Sequence, residues 1–276
     1  MQHILGQMLL ENGITDSTLE LRIVDGAVVA GPGSKGTDWV VHTLIDPVAG
    51  TFESVEITDS RGGETLMRHT FKPGSLVLGD RQYATARGIH FVVSGEAFPM
   101  VRVNRRTLKI CDPKKRRIYL QNFEADIPKE KYIALDVLIP IPMDTVRKNQ
   151  AWDIKNAKAW IPARNVGYRT AKDVIWVLTT ASREQLSDED LLNLYRLRWQ
   201  VELLFKRLKS LLHLDTLPSK DGPTSKTRLL IRLAAAAIAQ VLVSPSGFFS
   251  PGRHQGPRMP ANSQRVVPIS RSALGA

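Results

Sequence analysis

Short runs of β-type residues, alternating loosely between apolar and polar, fill the first part of the chain. After a short helix expected over residues 1–11, closed near Asn12-Gly13, LELRIVDG (19–26) reads as a strand that stops at Asp-Gly. DWVVHTLID (38–46) and TFESVEITD (51–59) read as two strands, joined over Pro47 to Gly50 as a hairpin. GETLMRHTF (63–71) has a more helical spacing and ends at Lys72-Pro73-Gly74. SLVLGD (75–80) is a compact apolar strand closing on an aspartate, ATARGIHF (84–91) a helix, and AFPMVRVN (97–104) a further strand. That order is α/β with an antiparallel start, which predicts a mixed sheet.

The pattern changes after residue 104. Residues 105–168 carry prolines and isolated β-type runs such as KYIALDVLIPIP (131–142), with little helical periodicity, and read as a β-rich insertion. AKDVIWVLTT (171–180) reads as a buried strand returning to the main sheet. The clearest helix follows, opened by Ser187 with Asp190 three residues on, and it is expected to run to about Leu212. LLIRLAAAAIAQVLV (229–243) reads as a buried helix, too short for a membrane span and interrupted by Arg232. From residue 244 onward, 15 of 33 residues are Pro, Gly or Ser, so disorder is expected. The chain thus divides into a main domain in two parts, 1–104 and 169–243, an insertion at 105–168 and a tail at 244–276.

The helix after Ser187 carries the chemistry. With Tyr195 set at zero on a helical wheel, Arg198 falls near 300°, Glu202 near 340° and Lys209 near 320°, at about 100° per residue. Leu194, Leu197, Val201, Leu204, Leu208 and Leu211 gather on the adjacent face as a stripe for the core. An Arg198–Glu202 pair on a solvated face would contribute only a few tenths of a kcal/mol. A carboxylate set between cations also suits a metal ligand whose substrate is a phosphodiester. Asp25 and Asp80, each at the end of an expected strand, add two acids where an α/β sheet presents its chemistry.

Tyr195, Arg198, Glu202 and Lys209 resemble the Y-(2)-R-(3)-E-(6)-K signature of DDE transposases of the insertion-sequence-4 family, and LYRLRWQVELLFKRLKS resembles the surrounding block. RIVDGAVVAGPG sets Asp25 where that family has its first aspartate, and LVLGDRQYATARGI sets Asp80 where it has its second, with Arg81 and Tyr83 matching a D-R-x-Y run. The resemblance covers about residues 20–242. It implies a ribonuclease-H-like mixed sheet flanked by helices and interrupted by a β-rich insertion, with Asp25, Asp80 and Glu202 as the catalytic, metal-binding acids. Mg²⁺, with Mn²⁺ as a substitute, is the implied cofactor; it is satisfied by a few carboxylates and water, so no histidine cluster is needed. Tyr195, Arg198 and Lys209 are the implied contacts to DNA phosphates. The implied partners are double-stranded DNA, as transposon ends and target, and a second copy of the chain in a synaptic complex. Ala27 stands where the family usually has threonine, and the first aspartate comes only 24 residues after the start. The chain therefore also reads as a truncated copy, with an inactive remnant that binds only DNA or a full-length partner as the alternative.

Charge narrows the partner. The 276 residues hold 38 Lys+Arg against 27 Asp+Glu, a net +11. Residues 102–117 contribute +7 and the tail +4, so the remaining 227 residues sum to zero. A local polyanion site is expected, not a uniformly basic coat. Arg102, Arg105, Lys114 and Arg117 of that cluster, together with Arg81, are candidate DNA contacts; solvated surface cations are the competing reading. A plain basic DNA-binding protein with structural carboxylates is a third possibility. Trp152 and Trp160 could stack on an extruded base but are better read as packing, and the six histidines show no ligand spacing. Cys111 is the sole cysteine, which excludes a disulfide framework. With no basic n-region and no membrane span, a cytoplasmic protein is expected, and the family resemblance implies a bacterial, nucleoid-associated one.

Overall fold

The computed structural model describes residues 19–31, 38–47, 49, 51–143, 152–196, 198 and 222–243. The first three strands, β1 (Glu20–Val29), β2 (Trp39–Asp46) and β3 (Thr51–Asp59), form an antiparallel meander. β1 does not stop at Asp25-Gly26. Pairing with β2 runs from Ile23↔Ile45 to Val29↔Trp39, and those ladder bonds carry the strand past the glycine. β4 (Ser75–Gly79) and β5 (Phe98–Arg102) follow, linked by helix α1 (Ala86–Ser94), and β1, β4 and β5 are mutually parallel. Thr85 caps α1 through its Oγ1, which accepts from the Gly88 amide at 3.1 Å. Between β3 and β4 the expected helix at 63–71 is reduced to a 3₁₀ turn at Leu66–Arg68. Arg68 holds it down, donating to the Gly63 carbonyl at 3.0 Å and pairing with Glu56 at 3.0 Å.

The segment read as an insertion contributes β6 (Ile110–Cys111), β7 (Arg117–Ile118), a short helix α2 (Gln121–Glu124), β8 (Tyr132–Ile141) and β9 (Ala159–Arg169). These strands join the main sheet through β10 (Val174–Thr179), which lies antiparallel between β5 and β9. The ten-stranded order is β3-β2-β1-β4-β5-β10-β9-β8-β6-β7. Helix α3, residues 188–196 with residue 198 also helical, and α4 (Gly222–Val243) complete the described chain. The expected continuation of α3 toward Leu212, the helix at 1–11 and the tail lie outside the described residues.

Side-chain alternation divides the core into two faces. On one, Leu21, Ile23, Leu76, Leu78, Met100 and Val177 meet Leu191 and Leu194 of α3 and Leu229 and Leu233 of α4. On the other, Val24, Val77, Val101, Trp176 and Leu178 pack with Leu66, Tyr83, Ile89 and Val92. α4 is less buried than its run of apolar residues suggested. Leu229 and Leu233 enter the core, but Leu230, Ile231 and Ile238 are exposed, because a helix lying on a sheet buries only one stripe. No helix among the described residues is long and apolar enough to cross a membrane.

Trp176 is the largest fully buried side chain among the described residues, and its indole donates to Glu124 Oε1 at 3.1 Å. Its ring lies over Gly167, the residue it faces across β9 and β10. A Cβ at Gly167 would stand 2.6–2.7 Å from three ring atoms, so only glycine fits under the pinned indole. Gly167→Ala should therefore lower unfolding stability by about 1–3 kcal/mol in urea titration, with the native fluorescence of Trp176 altered.

Candidate active site

Strand register brings the two expected aspartates together. β1 and β4 pair from Glu20↔Ser75 to Ile23↔Leu78, so the same offset continued two residues sets Asp80 beside Asp25. Neighbouring strands lie about 4.8 Å apart. β4 and β5 pair as far as Gly79↔Val101, which makes Arg102 the next residue along beside Asp80. Asp25, Asp80 and Arg102 thus form a row where β4 and β5 reach their carboxyl ends. All three share the alternation of Ile23, Leu78 and Met100, the face covered by α3.

The D-R-x-Y run has a local cause. Asp80 Oδ1 accepts from the Gln82 amide at 2.6 Å, and the Asp80 carbonyl accepts from the Tyr83 amide at 3.2 Å. This tight turn orients the carboxylate, leaves Arg81 exposed and folds Tyr83 back into the core. The start of α3 is fixed just as firmly. Ser187 Oγ accepts from the Asp190 amide at 3.1 Å, as the capping pattern anticipated. Arg164 of β9, almost fully buried, reaches Asp188 Oδ1 and the Leu186 carbonyl, each at 2.6 Å. With Leu191 and Leu194 in the core, this clamp sets Tyr195 and Arg198 over the aspartate pair.

The charged groups at this end of the sheet act on one another. Burial raises the Asp25 carboxyl to about 7 against the Gly26 amide and the Arg198 guanidinium, which favour its charge, and the nearby acids Asp80 and Glu64 add to the rise. Tyr195, also raised by burial, lies against Arg198 and within the field of Arg102 and Asp80. Glu64, absent from the sequence-based site, is pushed up by burial and by Asp80. Its only sequence signal was the glycine after Asp25, whose missing side chain leaves it room.

The other candidates are placed less centrally. Arg102 lies 3.9 Å from Asp173, and Arg105 pairs with Glu124 and, at 3.6 Å, with Asp173. Lys114 is exposed, and Arg117 lies 5.4 Å from the Tyr119 ring centre. Lys109 and Lys115 sit over the Trp152 and Trp160 rings at 4.3 and 5.1 Å, so both tryptophans are engaged by cations. Glu202 and Lys209 lie outside the described residues.

A family model described as the transposase DDE domain matches residues 16–238. The chain belongs to the DDE transposase family. Among relatives, the putative transposase InsL for insertion sequence element IS186A of Escherichia coli (strain K12) is 31% identical over 255 residues, spanning 84% of this chain and 68% of the relative. The transposase for insertion sequence element IS421 of Escherichia coli shows the same identity and coverage. In fold, the chain is similar to a piggyBac transposase in a cryo-EM synaptic complex with hairpin DNA, at TM-score 0.50 and 8% identity over 80% of this chain. The present chain spans 46% of that protein. The mixed sheet is accordingly ribonuclease-H-like.

The residues of this DDE transposase fit an oxygen-liganded divalent cation. Two adjacent carboxylates, one of them costly to ionise, need a positive partner, and Mg²⁺ and Mn²⁺ favour such donors. Among the described residues, no three acidic, histidine or cysteine side chains converge closely enough to hold an ion unaided. In the cation-free transposase, Asp25 keeps a proton that the unfolded chain, with an ordinary value of 3.8, releases. Stability should therefore fall as pH rises from about 4 toward 7. Asp25→Asn should flatten that decline and raise stability near neutral pH by on the order of 2 kcal/mol, solvent screening included, in urea titrations across the range.

Proposed function

We propose that this chain is a DNA transposase that cleaves phosphodiester bonds and transfers strands at insertion-sequence ends, using divalent cations held by Asp25, Asp80 and Glu202. The observation that carries this reading is the register that sets Asp25 beside Asp80 under Arg198, with Asp25 raised to about 7. Mg²⁺, or Mn²⁺ in its place, would align the attacking and leaving oxygens of an in-line displacement and offset their charge. Asp25 and Asp80 would hold these cations from the sheet. Glu202, four residues beyond Arg198 in sequence, would supply the third carboxylate. Arg198, close to the acids, limits their mutual repulsion and with Tyr195, Lys209 and Arg81 receives phosphate oxygens.

Arg102 connects the site to the basic segment, since it stands in the row with Asp80 and begins the run that includes Arg105, Lys114 and Arg117. DNA leaving the active site would follow these cations along the sheet extension. Segments 1–104 and 169–243 then form the catalytic unit, 105–168 a DNA-facing extension, and a second copy of the chain completes the synaptic complex. The piggyBac transposase similar in fold was captured in a synaptic complex with hairpin DNA, which supports DNA as the partner. With relatives from Escherichia coli, the setting would be a bacterial cell, where the DNA partner lies in the nucleoid.

Purified protein incubated with insertion-sequence-end DNA and Mn²⁺ should nick it, and Asp25→Asn, Asp80→Asn and Glu202→Gln should each reduce cleavage by at least about 10³-fold while retaining DNA binding. Binding without any Mn²⁺-dependent cleavage by the wild-type chain would instead identify an inactive remnant. Replacing Arg102, Arg105, Lys114 and Arg117 together by Ala should lower the salt slope of DNA binding by about 2–4. An unchanged slope would remove the basic segment from the DNA path.

A further inference from the structure

The acids at this end of the sheet include one that neither strand carries. Glu64 lies in the connection between β3 and the 3₁₀ turn, half-buried, with its neighbour Gly63 held by Arg68. It occupies the space left by Gly26. A Cβ there would stand 2.2 Å from Glu64 Oε1 and 2.8 Å from its Cδ. Gly79, immediately before Asp80, has a matching role: a Cβ there would stand 3.0 Å from Tyr83 Cβ and 3.3 Å from its Cγ. Each aspartate is thus next to a glycine, and each glycine seats one further polar side chain.

Tyr83 is the second, independent sign that this place receives a ligand. Its side chain is only 1% exposed, and its hydroxyl is buried with no hydrogen-bond partner among the described residues. The charges acting on that hydroxyl are those of Glu64, Asp25 and Asp80, with Arg68 opposing them. A buried hydroxyl without a partner, within the field of Glu64, Asp25 and Asp80, is unfavourable unless a further group meets it. Two carboxylates, Asp25 and Asp80, leave most of a divalent cation's coordination positions to water. Mg²⁺ dehydrates reluctantly and keeps several waters, and groups that bond such waters orient the whole site.

Resting on the reading of Asp25 and Asp80 as cation ligands, we propose that Glu64 and Tyr83 form an outer layer of that cation site. Glu64 accepts hydrogen bonds from water carried by the ion, and the Tyr83 hydroxyl bonds the same water. Both are positioning residues, acting through water and not on the phosphate. The Asp-Gly pair at 25–26 then has a physical reason: the glycine admits the carboxylate that steadies the ion held by its neighbour.

Mn²⁺ binding to the purified full chain, followed by electron paramagnetic resonance of the free ion without DNA, tests this directly. Glu64→Gln should weaken Mn²⁺ affinity about 10- to 100-fold and Tyr83→Phe several-fold, with the cation-free unfolding midpoint not lowered in Glu64→Gln. Glu64→Asp, which keeps the charge, should recover part of the loss. Wild-type affinity in Glu64→Gln, beside lost binding in Asp25→Asn, would overturn the proposal and leave the underlying reading standing. A loss of affinity in Glu64→Gln that is matched by a fallen unfolding midpoint would assign the effect to the fold and also overturn it. Retained binding in Asp25→Asn, or no binding by the wild-type chain, would overturn the reading beneath it.

Discussion

The parallel pairing of β1, β4 and β5 is the constraint on which the site depends. It sets Asp25, Asp80 and Arg102 on adjacent strands and on one face of the sheet. Strands in this relation must be joined by crossovers, and α1 provides the one between β4 and β5. A slip of one residue in either pairing would turn an aspartate to the opposite face. Leu76, Val77 and Leu78, all essentially buried, hold the register, since a slip would also exchange the core side chains between two differently filled faces.

What the sheet brings together must be held against repulsion. Asp25 is raised to about 7 by its surroundings, while Arg198 pulls the other way from α3. The position of Arg198 follows from contacts several residues upstream: the Arg164–Asp188 pair, the Leu186 carbonyl and the leucines beneath the helix. The buried Arg164 contributes to stability only while its partners are present, since its desolvation is costly when uncompensated. Its structural service is to fix the helix start, and through it the charge balance of the site.

Much of this was readable from the chain. The alternation located β2, β3, β4 and β8 closely, because each has a half-buried or buried face and clear turn residues at its ends. The Ser187 cap located the start of α3, and Leu194, the one described member of the leucine stripe, lies in the core. The errors have equally physical causes. β1 runs through Asp-Gly because β2 supplies partners on one side, which no local signal reveals. Residues 63–71 form only a 3₁₀ turn because Arg68 and Glu56 secure the connection from outside it. The basic segment looked uniformly available for a polyanion, yet Arg102, Arg105 and Arg116 face acids contributed by residues 112, 124 and 173.

By itself, the sequence determined the residue types and their order: two aspartates in or after apolar strands, then Tyr195, Arg198, Glu202 and Lys209 at spacings that a helix would place on one face. Those features are local, because capping, alternation and helical periodicity depend on near neighbours. Only the tertiary structure decided that Asp25 and Asp80 stand side by side, that Arg102 joins their row, and that Glu64 and Tyr83 close on them from the other face. Strand pairing and side-chain packing bring together residues far apart in the chain, and the Gly26 and Gly79 seats matter only once that pairing has formed.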